Sequence, residues 1–339
     1  MRERYSEPLR DLKKMNDTGI LNIYKPAGMT SHDVVAAVRK KLGIKRVGHT
    51  GTLDPMATGV LPVCVGRAAR ITEYLDLDFK TYRCSMTLGK VTDTQDIWGK
   101  VIEERTADGI TESDVIKAFE PFRGVIDQKP PMYSAVRVDG RRLYEYAREG
   151  KTVDVKTRKI FIDSLDIKKI DLSCHTVDFS VRCSKGTYIR TICQDAGEAL
   201  GCGAVMSHLE RTESGVFNAE TAVKTDDLME MSREEILKLL LPADYPLVHF
   251  GRLTVDAKGR KMFLNGRNLP PSICRVEKEP ELKSKKPPLP VREEYSRAYN
   301  VYQRAKSEDI FLGVAFFDER YGKYKADKVL CEVTSFEDI

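Results

Sequence analysis

Apolar positions along this chain repeat with two periods, and the switches between them mark out its elements. Ile20 to Tyr24 reads as a strand. Val34, Val35, Val38 and Leu42 then recur at the spacing of one helix face, with Ser31 as the expected N-cap and Gly43 as the stop. Val60 to Val65 predicts a strand and Arg67 to Leu75 a short helix. Tyr82, Cys84, Met86 and Leu88 alternate along the next strand, which sets Tyr82 on the same side as its apolar companions. Thr111 to Phe122 and Arg141 to Arg148 carry helical patterns, with Gly150 closing the second, and they flank a turn at Pro130 and Pro131. These segments predict an insertion of about residues 105–150 beside a cleft. Val177, Phe179, Val181 and Cys183 alternate on a strand that leads into a helix with the buried stripe Ile189, Ile192, Cys193, Ala196 and Leu200, ending at Gly201. Arg190 falls in the first turn of that helix.

Strands and helices in mixed order, with many alternating strands, predict an α+β domain with a largely antiparallel sheet. Beyond Val248, the stretches 252–256 and 309–317 are strand-like, and the segment 277–306 between them is rich in charge and proline. That composition predicts a solvated loop. At 339 residues the chain exceeds the usual single domain, so we expect a large domain over 1–247 and a small one over 248–339.

Composition narrows the function classes. The 56 basic and 51 acidic residues leave a net charge of +5, which predicts one basic face rather than a uniformly basic protein. No apolar run approaches the roughly 20 residues that cross a bilayer, and Met1 to Pro8 lacks the apolar stretch of a signal peptide, so a cytoplasmic location without membrane attachment is expected. Eight cysteines form no C-x-x-C pair, and most lie at apolar-phase positions, which predicts reduced core thiols rather than a zinc site. Gly43 to Thr50 has the spacing of a phosphate-binding loop, but His49 stands where that motif requires lysine. His208-Leu-Glu210 lacks the cysteine half of a deaminase signature, and Gly201-Cys-Gly203 lacks the third glycine of a dinucleotide fingerprint.

The most informative run is Gly48 to Pro62, GHTGTLDPMATGVLP. It sets one carboxylate, Asp54, among three glycines and two prolines, with His49 as the other ionisable group. Glycines permit positive φ, and Pro55 pushes Asp54 out of the helical region, so Asp54 is expected on a tight, extended loop. Such a loop offers its carboxylate to a ligand or simply bonds to itself. Arg190 adds a hint: a positive charge at a helix start is disfavoured by the helix dipole unless it has a partner.

The whole run resembles the catalytic loop of the TruB family of pseudouridine synthases. Around it, Gly19 to His32 resembles that family's Lys-Pro motif, with Lys25 and Pro26 in place. Lys80-Thr-Tyr-Arg resembles the segment of its active-site tyrosine, here Tyr82, and Thr92-Asp-Thr-Gln-Asp96 its acidic loop. Pro130 to Tyr144 is similar to the stand-alone bacterial branch, Lys185 to Thr191 to the motif of the catalytic arginine, here Arg190, and Ser207 to Thr212 to the closing motif. The similarity runs in order over about residues 18–217.

The resemblance implies the pseudouridine synthase fold, a mixed and largely antiparallel sheet, followed by a small β-rich PUA-like RNA-binding domain. It implies isomerisation of uridine 55 in the TΨC arm of tRNA. The carbon–nitrogen glycosidic bond breaks and uracil rejoins the same sugar through carbon 5, with neither redox change nor hydrolysis. No cofactor and no metal are expected. Asp54 is the candidate nucleophile at uracil carbon 6 or sugar carbon 1, or the base at the sugar, and the sequence leaves these open. Arg190 would keep it ionised in a dry site. By resemblance Tyr82 stacks on the uracil and His49 supports the flipped nucleotides, while Tyr188 and Leu209 join the base-contacting set. Lys25 either binds phosphate or braces the loop. Asp96 either bonds an extruded base or caps its own turn. The expected partner is the tRNA T-arm, with no protein partner and a monomeric state. A guide-dependent synthase subunit and a tRNA-binding folding factor are the alternatives.

Overall fold

A computed structural model describes residues 17–75, 77–281, 287–290, 292–305 and 309–331. The N-terminal stretch read above for a leader lies outside them, as do residues 282–286, 291 and 306 of the charged segment. Its centre is a ten-stranded sheet. Along the main path the order is Val223–Lys224, Gly19–Lys25, Thr58–Val65, Ala204–Ser214, Lys80–Leu88, Thr176–Cys183, Arg158–Asp171 and Gly124–Gln128. Two pairings, Gly19–Lys25 with Val223–Lys224 and Thr58–Val65 with Ala204–Ser214, are parallel, and the rest are antiparallel.

Strand alternation sorts the core into two faces. Leu21, Ile23, Leu61, Val63, Cys84, Met86, Phe179 and Val181 point to the face covered by the helices Ser31–Leu42, Glu112–Phe119 and Ile189–Ala199. Ile20, Val60 and Cys64 point the other way, where they meet Tyr74, Phe250, Tyr295 and Phe316. That second cluster joins the large sheet to a separate five-stranded sheet ordered Cys274–Lys278, Gly251–Val255, Ala298–Gln303, Ile310–Asp318 and Lys323–Val329. Tyr74 sits edge-on to Phe250 and Tyr295 at 5.2 and 5.6 Å between ring centres, and the Arg67 guanidinium donates to the Cys331 carbonyl at 2.8 Å. The small sheet is thus docked against the back of the large one. Residues 129–157 gather round a small cluster of their own, Val136, Leu143 and Val155, whereas Val115, Phe119 and Phe122 belong to the main core.

Four expectations need correction. The helix at Ser31–Leu42 is capped by Thr30, whose hydroxyl accepts the Asp33 N–H while the Asp33 carboxylate accepts the Thr30 N–H. Ser31 is thereby released for a different contact, described below. The Arg67 to Leu75 helix is a 3₁₀ turn, Gly66–Ile71, followed by one α turn, Thr72–Leu75; tight winding is common in connectors this short. Of the eight cysteines, five are free and buried as expected of most, but Cys174 is exposed and Cys274 and Cys331 are half-buried. Within 277–306, Ala298–Gln303 is not a solvated loop but the central strand of the small sheet. It pairs in parallel with Gly251–Val255, and the flanking Arg297 and Arg304 mask its apolar character in the sequence.

Candidate active site

One row of cross-strand neighbours organises the site. Lys25 faces Gly59, Gly59 faces Arg211, Arg211 faces Tyr82 and Tyr82 faces Val181. Gly59 has φ +107°, and a Cβ there would lie 2.2 Å from the Arg211 carbonyl oxygen. Only glycine lets the two strands approach this closely.

The loop carrying Asp54 leaves this row and is held at several points. Ser31 Oγ donates to the Leu53 carbonyl at 3.1 Å and accepts the Leu53 N–H at 2.9 Å. Lys25, with no exposed surface, donates from Nζ to the carbonyls of Pro26, Met29 and Pro55 at 2.8, 2.7 and 2.9 Å. Burial pulls its ammonium down to about 8, and the nearby Asp54 carboxylate opposes that fall. Arg211, equally inaccessible, donates from Nε to the Val60 carbonyl at 2.7 Å and from Nη2 to the Gly51 carbonyl at 3.1 Å.

Held in this way, the Asp54 carboxylate is partly open to solvent and meets a buried guanidinium, with Arg190 Nε 2.8 Å from Oδ2. Arg190 is itself fixed, since Nη1 donates to the Thr94 carbonyl at 2.7 Å and Nη2 to the Tyr133 carbonyl at 3.0 Å. Asp96 completes the cluster, its Oδ2 3.8 Å from Arg190 Nη1. Its Oδ1 accepts the Thr94 hydroxyl at 2.7 Å and the Trp98 N–H at 3.2 Å, so it caps its own turn and also faces the arginine. Burial pushes the Asp96 carboxyl above its ordinary range, and the Thr94 hydroxyl and Arg190 work against that.

Asp54, Arg190 and Asp96 therefore converge from three separate segments. Tyr82 is buried across from Arg211; desolvation pushes its phenol up, and the Arg211 charge pulls it back. Tyr188 precedes the Arg190 helix, its N–H donating to Gln128 Oε1 at 2.8 Å, and packs against the cluster of Val136 and Leu143. Leu209 is buried two residues before Arg211 on the same strand, and His49 lies on the strand entering the loop, edge-on to His32 at 6.1 Å between ring centres. Sequence reasoning missed Arg211. The signal was present: in the alternating Ala204–Ser214 strand it occupies the same buried phase as Leu209, where an arginine needs a special reason to sit.

The arrangement offers a carboxylate on a loop held at several points, with its negative charge matched by a fixed guanidinium and with Lys25, Tyr82 and Arg211 buried nearby. Among the described residues no group of three side chains could hold a metal ion, and no helix is long and apolar enough to cross a membrane.

Comparison with known proteins places the fold and the family. A Cbf5-Nop10-Gar1 complex matches with a TM-score of 0.69 at 24% identity, covering 96% of this chain and 88% of that one. An H/ACA RNP bound to a substrate RNA containing 2'-deoxyuridine matches at 0.68 and 22%, with the same coverage. The fold is that of the pseudouridine synthases.

In sequence, the model for the N-terminal domain of TruB family pseudouridylate synthase matches residues 39–189, and that for the tRNA pseudouridylate synthase B C-terminal domain matches 190–248. The tRNA pseudouridine synthase B of Clostridium perfringens strain ATCC 13124 is 42% identical over 314 residues, which is 93% of this chain and 99% of that protein. Its namesake in Alkaliphilus oremlandii is 47% identical over 251 residues, 74% of this chain and 82% of that one. The chain belongs to the TruB family and is a pseudouridine synthase, an isomerase.

Proposed function

We propose that this protein converts uridine 55 in the TΨC loop of tRNA to pseudouridine, without a cofactor, through Asp54. The observation that carries this reading is the 2.8 Å contact between the Asp54 carboxylate and the buried Arg190 guanidinium. The tRNA substrate is supported by the names of relatives that align over nearly the whole chain.

In this reading the uridine is turned out of its stack, at a cost of a few kcal/mol, onto the face of Tyr82. Asp54 acts as nucleophile or base at the glycosidic centre, and its charge is held in place by Arg190. Asp96 fixes the arginine from the other side. Lys25 braces the catalytic loop, because the three bonds of its Nζ all go to backbone carbonyls. Tyr188, Leu209 and His49 line or support the path of the flipped nucleotide. Water is kept from the detached base by the buried residues behind the carboxylate. The protein acts as a cytoplasmic monomer on the T-arm, with no protein partner.

The test is release of tritium from unmodified tRNA labelled at uridine carbon 5, with purified protein, a metal chelator and neither guide RNA nor added protein. Wild type should release tritium and Asp54→Asn should not, with modification mapped to position 55. Binding without release by wild type would instead point to a guide-dependent subunit or a folding factor.

A further inference from the structure

The loop that supplies Asp96 continues into residues with no role in the chemistry above. Ile97, Trp98, Val101 and Ile102 are four of the eleven large apolar side chains exposed among the described residues. Trp98 is the single tryptophan of the chain and is 45% exposed. Leaving so large an apolar ring in water is costly unless something covers it.

The loop is also rigid. The Ile97 N–H donates to the Met206 carbonyl at 2.9 Å, fastening it to the strand of Leu209 and Arg211. The Trp98 N–H is held by Asp96. The Lys100 N–H donates to Asp93 Oδ1 at 2.8 Å and the Asp93 N–H to the Lys100 carbonyl at 3.1 Å, closing the turn. Gly99 is required at its tip, since a Cβ there would lie 2.1 Å from Thr94 Oγ1. The backbone at Trp98 is thus held two residues from Asp96, whose carboxylate faces Arg190.

Charge decides what can cover it. The carboxylates of this region are already engaged: Glu103 with Arg105 at 2.7 Å, Glu104 with Lys90 at 4.0 Å, and Asp93 with the Tyr133 hydroxyl at 3.4 Å. The Tyr133 segment opens a stretch, residues 129–156, with seven basic and four acidic side chains, and although Arg141 and Lys151 pair with Glu145 and Glu149, the excess is positive. An aromatic face on a loop that touches a net-basic segment, as Asp93 touches Tyr133 here, brings together the two features that bind unpaired nucleotides, because every base has a π-face and every linkage a phosphate.

We propose that Trp98 is a stacking platform for an unpaired base of the RNA substrate, flanking the nucleotide held at Asp54. The proposal rests on the reading of this chain as an RNA-modifying synthase. It assigns Trp98 to substrate binding and not to the reaction, so loss of the ring should weaken KM and spare kcat.

Because Trp98 is the single tryptophan, its emission reports this site alone. Unmodified tRNA added to Asp54→Asn should quench that emission saturably and shield it from acrylamide. With otherwise wild-type protein, Trp98→Ala should raise KM for tRNA about tenfold with kcat within about twofold, and Trp98→Phe should keep KM within about twofold.

Retention of tRNA on a filter with unchanged emission and acrylamide quenching would overturn the proposal, as would a KM for Trp98→Ala within twofold of wild type. A self-associated form dispersed by Trp98→Ala, with KM unchanged, would overturn it in favour of a contact between protein copies. If wild type releases no tritium, the functional reading fails on that ground alone, and the emission titration still decides whether Trp98 meets RNA.

Discussion

Arg190 presents its Nε to the Asp54 carboxylate at 2.8 Å while backbone carbonyls of Thr94 and Tyr133 accept from its two terminal nitrogens. Each nitrogen of the planar fork therefore has a different segment to hold. A lysine offers one point charge and cannot satisfy three directions at once. Arg190→Lys is expected to lower kcat about 100-fold or more, in the range seen when a fixed charge partner is lost from an active site. Tritium release at saturating tRNA measures this, and circular dichroism at the same temperature should show an intact fold.

Lys25 supplies a pH signature. Its folded ammonium titrates near 8, whereas in the unfolded chain it keeps its proton to about 10.5. Between these values the unfolded state binds more protons, so the contribution of Lys25 to stability rises with pH, even as the neutral amine loses a hydrogen for one of its three carbonyls. Activity should then fall through an apparent pKa near 8. Over the same range, the unfolding midpoint of wild type relative to Lys25→Met should rise. A relative midpoint that falls from pH 8 to 10 would contradict this assignment.

Asp96 behaves in the opposite sense to a stabilising carboxylate. Its folded pKa lies above the ordinary value, so its charge disfavours the folded state at neutral pH, and that cost disappears in acid. Asp96→Asn keeps the acceptor for Thr94 and Trp98 but removes the charge facing Arg190. Its unfolding midpoint at pH 7 should equal or exceed that of wild type, with the difference closing below about pH 4. Its kcat should drop about tenfold, since Arg190 loses one of its positioning charges. Thermal scans at several pH values, set beside tritium release, check both halves.

Gly59→Ala tests the packing of the central row. A methyl group 2.2 Å from the Arg211 carbonyl, at φ +107°, forces the two strands apart. The expected cost is about 3 kcal/mol or more in chemical denaturation, with activity lost even in the folded fraction because Arg211 and the Gly51 carbonyl shift together. Gly28→Ala, at positive φ with open space around it, should cost only about 1 kcal/mol.

Much of this was legible in the residues themselves. The two periods gave the strand of Tyr82 and the helix of Arg190, and the glycines and prolines around Asp54 gave the loop. The awkward charge at a helix start anticipated a partner for Arg190. What stayed hidden was anything that depends on which distant backbone atoms arrive nearby. No local pattern says that Thr94 and Tyr133 lend carbonyls to Arg190, or that Ser31 yields the cap to Thr30 in order to hold Leu53. The strand at Ala298–Gln303 was obscured by its charged flanks, Arg297 and Arg304, and its parallel pairing with Gly251–Val255 leaves no local mark.

The way Arg190 gathers Asp54, Thr94 and Tyr133 also bears on safety during synthesis of the chain. An enzyme that opens glycosidic bonds is hazardous to any RNA it meets while half made. Here the carboxylate proposed to react meets its cation only once residue 190 has been made and lies among the segments of Asp54, Thr94 and Tyr133. A chain that stops short of residue 190 has Asp54 without this guanidinium. On the proposed reading, the charge pairing that the chemistry needs belongs to the assembled domain and to no separate stretch of it.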